Sequence, residues 1–246
     1  MTDAHCHVSC GDPSVRELLI GRDFFGIHPW ETLDGIDGAT ETRRALVPDV
    51  PVVPDVPFLV SLRSKLLANP DAGVGEIGLD RLKVRDVPPL MREVFETQLA
   101  LAIELGRPVV LHGAKCWGQV VAAVKRMIDG GVATGDARQA FLFHGFSRSD
   151  GLIPDIVKLN GYISVGPAVL NEHAVNYRAL VRKIPLDRLL VETDRTSSSA
   201  SPSISDVLAK TADILNLSIA ELEWITDENA AALMTCQDRQ ICRNRP

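Results

Sequence analysis

The sequence predicts an α/β fold whose mainly parallel strands close into a TIM-like (β/α) barrel of seven or eight strands. Three observations lead to this prediction. Short apolar segments alternate along the chain with helical patterns, which is typical of a parallel sheet. The chain has 246 residues, close to the roughly 250 residues of such a barrel. Polar candidate residues follow several of the apolar segments, as they do at the catalytic, C-terminal face of a barrel.

Composition narrows the class of protein. With 46% hydrophobic and 24% charged residues, the chain suits one globular domain spanning residues 1–246. No apolar run has the length of a membrane span, and the N-terminus lacks the basic and apolar regions of a signal peptide. The five cysteines show no CxxC spacing, which disfavours a disulfide framework. We therefore expect a cytoplasmic protein with neither a membrane nor an obligate protein partner.

The net charge of -6 argues against a protein that coats nucleic acid through a broad basic face. It is compatible with an enzyme that holds one phosphate locally, through metal ions and a few cations. The acidic balance therefore restricts how the protein binds a nucleic acid without excluding one as a substrate.

The predicted strands are the short segments, mostly apolar, that alternate with the helical patterns. They cover residues 2–5, 24–27, 73–76, 109–112, 141–144, 162–165 and 189–192. Between His7 and His28 there is room for only one brief element, at residues 15–20. One βα unit is therefore expected to be missing or degenerate.

Helical spacing of apolar residues predicts the remaining elements. The predicted helices cover residues 58–67, 89–105, 119–128, 152–159, 174–183, 205–215 and 219–224. The clearest is 89–105, which Pro88 and Pro89 open and Gly106 ends. The proline-rich stretch 48–57 and the serine-rich stretch 196–202 are predicted as loops.

The segment Asp3-Ala4-His5-Cys6-His7 is the first candidate for metal chemistry. On a strand, side chains alternate between faces, so His5 and His7 point the same way and Cys6 points the opposite way. Two imidazoles on one face form half of a metal site.

Four further residues complete a candidate set at or just past the ends of apolar strands: Glu76, His112, His144 and Asp194. His112 and His144 lie in the same sequence pattern, in which an apolar strand is followed by a histidine and then a glycine. Packing alone does not explain why this pattern occurs twice. The glycine is expected to permit close approach of the backbone and a sharp turn into the following loop. Glu76 lies among glycines, and the alternative for it is a solvated loop acid. Glu192 is the alternative to Asp194, as an ion-pairing acid inside or below the mouth.

Together these residues resemble the TatD family of metal-dependent hydrolases, within the amidohydrolase-like barrels. The resemblance rests on six stretches in family order: 3–7 (DAHCH), 26–29 (GIHP), 75–80 (GEIGLD), 108–112 (PVVLH), 144–147 (HGFS) and 190–194 (LVETD). Each stretch is weak alone, but jointly they cover about four fifths of the chain.

The resemblance implies two divalent metal ions and phosphodiester hydrolysis, commonly of DNA with a preference for the 3′ end. Carried over by position, His5, His7 and Asp194 hold one metal, His112 and His144 hold the second, and Glu76 bridges both. Glu76 and Asp194 are the catalytic candidates, because a carboxylate beside the metals can accept the proton of the attacking water. The nitrogen-rich ligand set favours zinc or manganese over magnesium.

Departures from the family pattern bear on the substrate. Arg195-Thr196-Ser197 replaces the usual Ala-Pro-Tyr after Asp194, and Arg81 replaces an aromatic residue. His28, Arg81, Lys115 and Arg195 are candidate substrate contacts. For the three cations the alternative is a solvated surface charge or, for Arg195, a pair with Glu192 or Asp187. His173 is expected to be a surface residue.

Two other functions stay open at this point. This type of barrel hosts many chemistries, so one alternative is an amidohydrolase acting on a small amide, ester or lactone. A bridging lysine at a strand end would favour it, and Glu76 stands in that place. The other alternative is a non-catalytic metal-binding protein, which the loss of a candidate ligand would have favoured.

Overall fold

Eight strands and eight α-helices are present in the computed structural model, which describes residues 1–34, 56–130, 139–197 and 202–235. The strands are β1 (Thr2–Cys6), β2 (Arg16–Leu19), β3 (Phe24–Phe25), β4 (Gly73–Asp80), β5 (Val109–Ala114), β6 (Phe141–Phe143), β7 (Gly161–Val165) and β8 (Leu189–Val191). The helices are α1 (Glu31–Asp34), α2 (Val56–Ala68), α3 (Pro89–Glu104), α4 (Trp117–Asp129), α5 (Ile153–Lys158), α6 (Val175–Val181), α7 (Ile204–Leu215) and α8 (Ile219–Met234).

Neighbouring strands in space follow their order in the chain. Strands β3 to β8 form one parallel sheet, and β1 and β2 form a second parallel pair, which an isolated bridge between Ile20 and Phe24 joins to β3. At the other side, the amide of Asp194 donates to the carbonyl of His5 at 3.0 Å, and the amide of His7 donates to the carbonyl of Arg195 at 2.9 Å. The chain after β8 therefore lies beside β1, and the predicted TIM-like barrel is confirmed.

The short stretch before His28 supplies a strand, so the barrel has eight strands within the described residues. Residues 15–20 contain β2, but no helix lies in residues 7–15 or 20–23. Parallel strands normally need a crossover of a dozen or more residues. Here Glu17 accepts hydrogen bonds from Ser9 and Cys10, and Asp23 accepts one from the amide of Leu19. These side-chain bonds hold the two tight connections in place of helices.

Several boundary predictions need correction. Among the strands, the predicted 24–27 ends at Phe25, whereas the predicted 73–76 continues to Asp80. The last helix was predicted to end at residue 224, but α8 continues to Met234. Its second half is held by burial of Ala230 and Leu233 and by Asn229, whose amide group donates to the carbonyls of Leu186 and Leu189. Such tertiary bonds offset the weak helix propensity of asparagine.

Two other segments differ from the prediction in detail. Residues 152–159 were predicted as one helix, but a 3₁₀ turn at Asp150–Leu152 precedes α5. The last two residues of the predicted loop 48–57 begin α2, and the rest of that loop lies outside the described residues. Residues 198–201 of the predicted loop 196–202 also lie outside them. No helix of the described ranges is long and apolar enough to cross a membrane.

The barrel interior has an apolar floor beneath a polar layer. Strand residues of one buried cluster form the floor: Ala4, Leu18, Phe24, Val110, Leu142, Tyr162 and Leu190. Because strand side chains alternate, the next inward position of β5 is His112, and the inward positions just after β6 and β8 are His144 and Glu192. The intervening outward residues belong to the separate core under the helices. The alternation therefore delivers polar side chains to the C-terminal mouth.

Candidate metal centre

The end of β1 and the segment after β8 supply the first group of candidate ligands. Oδ1 of Asp194 lies 3.5 Å from Nε2 of both His5 and His7. Asp194 adopts a left-handed backbone (φ 50°), which aspartate tolerates, and its amide is tied to β1 by the bond to His5. The ring of His5 is fully buried, and neither of its nitrogens has a hydrogen-bond partner among the described residues.

Strands β4, β5 and β6 supply the second group. Nε2 of His144 lies 2.6 Å from Oε2 of Glu76, and Nδ1 of His112 lies 3.1 Å from the same oxygen. The two imidazole nitrogens are 3.1 Å apart. Glu76 is 4% exposed, so its carboxylate is withdrawn from water and faces imidazoles instead.

The two oxygens of Glu76 face different groups. Oε2 faces His112 and His144, whereas Oε1 lies 3.2 Å from Nε2 of His7. Nε2 of His5 is 3.9 Å from Oε2. Glu76 therefore lies between the two groups with one oxygen directed to each.

These residues fit divalent metal ions. Ligand atoms about 2.0–2.1 Å from a tetrahedral zinc ion lie about 3.3 Å from one another, and the distances above run from 2.6 to 3.9 Å. Within the described residues, His5, Glu76 and His144 form one possible ligand group, and His5, His7 and Asp194 form another. The partnerless nitrogens of buried His5 are costly unless a ligand satisfies them.

The carboxylates create a negative potential that favours cations. Burial alone would raise the pKa of Glu76, but His144 and the hydrogen bonds from the neighbouring histidines hold it well below its usual value. Hydrogen bonds to Asp194 and then to Glu76 raise the pKa of His7 to about 9. Burial opposes a charge on His144, yet Glu76 and Glu192 raise its pKa well above the ordinary value. A metal ion would displace these protons, since only neutral imidazoles bind metals.

Asp80 and Glu192, which were not predicted as ligands, lie beside the ring nitrogens of His112 and His144 that do not face Glu76. Oδ2 of Asp80 lies 2.8 Å from Nε2 of His112, which leaves Nδ1 free to face Glu76. Such a carboxylate–histidine pair typically orients a metal ligand. Glu192 accepts a hydrogen bond from Ser164 and lies 3.7 Å from Nδ1 of His144. A local signal existed for Asp80, because it lies four residues after Glu76 and therefore on the same face of β4.

The glycines that follow His112 and His144 have different structural roles. Gly145 has a positive φ of 57°, so it makes the expected turn after β6. Gly113 instead lies inside β5, and a Cβ there would come 2.2 Å from the ring of Trp117. The glycine after His112 is therefore required for close packing of α4, which corrects the predicted turn.

His28, one of the candidate substrate contacts, lies beside Glu76. Its Nε2 is 3.8 Å from Oε1 of Glu76, and its ring meets that of His112 at 4.7 Å. Burial lowers the pKa of His28 to about 4, so its imidazole is neutral at physiological pH. It forms a third possible ligand group with Glu76 and His112.

The three candidate cations stand on loops that follow the strands. Lys115 is exposed directly after β5, and Arg81 follows β4 with its Nε donating to the carbonyl of Arg85. Arg195 is half-buried, and within the described ranges no ion pair joins it to Glu192 or Asp187. Those acids contact Ser164 and Arg188 instead.

A cavity of about 1030 Å³ opens beside the candidate ligands. Its wall includes Glu192, Asp194, Arg148 and Tyr177. His173, which was expected to be a surface residue, is exposed but also lines this cavity. The cavity offers room for a substrate next to Asp194.

Comparisons with known proteins identify relatives of this chain. A sequence model of the family described as TatD related DNase matches residues 22–235. The metal-dependent hydrolase YabD of Bacillus subtilis, described as uncharacterized, is 29% identical over 229 residues, which cover 89% of this chain and 81% of that protein. The 3′-5′ ssDNA/RNA exonuclease TatD of Edwardsiella piscicida is 30% identical over 131 residues, about half of each chain (52% and 48%).

Solved crystal structures share this fold. The crystal structure of YjjV, a TatD homologue from Escherichia coli K12, superposes with a TM-score of 0.65 at 24% identity. The superposition covers 92% of this chain and 78% of that one. At this identity the likeness concerns the barrel architecture.

Proposed function

Because the chain belongs to the TatD related DNase family of metal-dependent hydrolases, we propose that it hydrolyses phosphodiester bonds of DNA at a centre of two divalent metal ions. The observation that carries this proposal is the placement of Glu76, which directs one oxygen to His7 and the other to His112 and His144. A carboxylate shared in this way is what a bridging ligand requires.

In this proposal each of the two groups of candidate ligands binds one metal ion. His5, His7 and Asp194 would hold one ion, His112 and His144 would hold the second, and Glu76 would be shared between them. When bound, two such ions supply Lewis acidity that activates water and offsets charge on the phosphate. The imidazole-rich donor set favours zinc or manganese over magnesium.

The protein's own groups supply orientation and proton transfer. Asp80 bonds the far nitrogen of His112 and so fixes which ring nitrogen faces Glu76. The carboxylate of Asp194 is 48% exposed at the mouth, where it can accept a proton from the attacking water. His28, next to Glu76, is placed to donate a hydrogen bond to a phosphate oxygen. The relative named as a 3′-5′ ssDNA/RNA exonuclease supports a preference for the 3′ end of a strand.

A substrate panel tests this proposal. The metal-loaded protein is incubated with 3′-labelled and 5′-labelled single-stranded DNA, RNA, a phosphomonoester, and small amide, ester and lactone substrates. We expect metal-dependent loss of the 3′ label first, with little turnover of the carbonyl substrates. Faster hydrolysis of an amide, ester or lactone would contradict the proposal and favour the amidohydrolase alternative.

Replacement of Arg195 by alanine is expected to weaken the handling of nucleic acid. Arg195 directly follows Asp194 and forms no ion pair with another described residue, so its guanidinium is available for a phosphate oxygen. Loss of one charge-assisted hydrogen bond should raise the KM for an oligonucleotide by about tenfold. The KM for a small phosphodiester should change less, and the metal content should stay the same.

The control for this variant is Arg16→Ala, since Arg16 is exposed at the opposite end of the barrel, where β2 begins. Equal effects of Arg195→Ala on both substrates, or loss of metal, would count against a phosphate contact.

A further inference from the structure

An aromatic ring and several cations lie together on one side of the mouth. The loop after β4 carries Arg81, Lys83 and Arg85, and Lys115 follows the adjacent strand β5. We call these four residues the basic rim. The amide of Arg81 donates to the carbonyl of Ala114 at 3.0 Å, so the two loops are in contact. None of the four cations forms an ion pair with a residue that the structure describes.

Trp30, in the loop after β3, lies against this rim. Nζ of Lys83 is 3.8 Å from the centre of the Trp30 ring. The ring stands edge-on to His28, with centroids 5.1 Å apart and an interplanar angle of 84°. Its side chain also lies close to the carboxylate of Asp80, whose pKa His112 and Trp30 hold below its ordinary value against the effect of burial. These contacts fix the indole beside the candidate metal centre, while 37% of the residue remains exposed.

Packing alone does not account for this arrangement. A tryptophan that only covered Asp80 would be expected to be buried, and unpaired cations are notable in a chain with a net charge of -6. Leu82, between two of the cations, is also exposed (54%). An exposed aromatic ring among cations is the combination with which proteins hold single-stranded nucleic acid, since bases stack on the ring and phosphates meet the charges.

We propose that Trp30 and the basic rim form a subsite that stacks one nucleobase and holds the neighbouring phosphates of a single strand. The proposal rests on the proposed phosphodiesterase function and specifies its substrate, because only a single strand offers unstacked bases. The ammonium group of Lys83 lies over the indole in the free protein, and an incoming base takes its place. Lys83 then turns to a phosphate, since a stacked base is held more strongly than an exposed cation on a ring.

The test compares two phosphorothioate strands of equal length and charge: a short oligothymidylate and an abasic strand. Their dissociation constants are measured with the metal-loaded protein by fluorescence anisotropy. We expect the wild type to bind the oligothymidylate about tenfold more tightly, the effect of one base stack. Trp30→Leu should abolish this preference, and Trp30→Phe, which keeps an aromatic ring, should retain most of it.

Variants of the basic rim should behave differently. Lys83→Gln with Arg85→Gln should weaken binding of both strands alike and reduce its salt dependence, because phosphate contacts do not involve the base. Trp224→Leu is the matched control, since Trp224 is 66% exposed on α8, outside the mouth. It should bind both strands as the wild type does.

The outcomes separate this subsite from the hydrolytic function. Retention of the base preference in Trp30→Leu would overturn the subsite. Loss of bound metal in both Trp30→Leu and Trp30→Phe, together with the preference, would also overturn it, since Trp30 would then act through Asp80. If the wild type cleaves a small chromogenic phosphodiester but binds both strands alike, the subsite fails and the hydrolase stands. Base preference without cleavage of any phosphodiester would leave the subsite standing and contradict the proposed function.

Discussion

Glu76→Ala is expected to lower the rate of phosphodiester hydrolysis by about a thousandfold, which corresponds to about 4 kcal/mol of transition-state stabilisation. The physical reason is that, among the described residues, Glu76 is the one carboxylate that lies within 4 Å of histidines of both candidate ligand groups. Its removal leaves each group with fewer anionic donors, so the occupancy of both metal positions should fall. Metal content by mass spectrometry and kcat/KM for a small phosphodiester measure the two effects.

The matched control is Glu104→Gln. Glu104 is an exposed acid at the end of α3, paired with Arg63 on the outside of the barrel. A surface pair of this kind contributes little to stability, and activity and metal content should remain those of the wild type. If Glu76→Ala and Glu104→Gln have the same kinetics and metal content, the ligand assignment is wrong. A more conservative variant, Glu76→Gln, keeps the size of the side chain and isolates the effect of its charge.

Removal of metal by a chelator is expected to reduce hydrolysis to the background rate, and manganese or zinc should restore it. Apart from metal ions, the described groups at the mouth that could activate a water are carboxylates and imidazoles, and most of these already contact one another. Bound metal should also stabilise the fold, by about 4 kcal/mol at a thousandfold excess over the dissociation constant. A rise in the melting temperature on metal addition therefore checks binding without reference to activity.

Calcium provides the comparison ion for this experiment. It prefers six to eight oxygen ligands, whereas the candidate centre offers four imidazoles and two carboxylates. Calcium should therefore give a smaller rise in melting temperature and little activity. Full phosphodiesterase activity in the chelated protein would exclude the two-metal proposal.

The sequence predicted the barrel and the meeting of the candidate ligands because both follow from local rules. The apolar segments mark the strands, and the carboxyl ends of parallel strands lie at one edge. Residues there come from distant parts of the chain yet share one mouth, which is why His5 and Asp194 lie close together in space. The period of two along β5 and β6 also explains why His112 and His144 lie one layer above Val110 and Leu142.

The same local rules located a brief element at residues 15–20, but they did not predict that it completes the barrel as β2, and they did not predict the full length of α8. Strand β2 has only four residues, and side-chain bonds to Glu17 and Asp23 replace the helices that usually mark such connections. Helix α8 continues past Trp224 because Asn229 caps carbonyls near the start of β8. Neither contact can be recognised in the sequence, because each joins residues whose proximity depends on the fold.

What the sequence by itself determined is the class of fold and the set of six polar side chains that its strands carry to one face. Only the tertiary structure decided how these side chains face one another. Register shifts between Asp3 and Cys6 in β1 and between Val74 and Ile77 in β4 interrupt the regular strand pairing around His5 and Glu76. The direction of each Glu76 oxygen, the support of His112 by Asp80 and the position of Trp30 beside Lys83 all depend on the placement of neighbouring strands and loops. That placement is set by packing over the whole barrel, and no local pattern of residues encodes it.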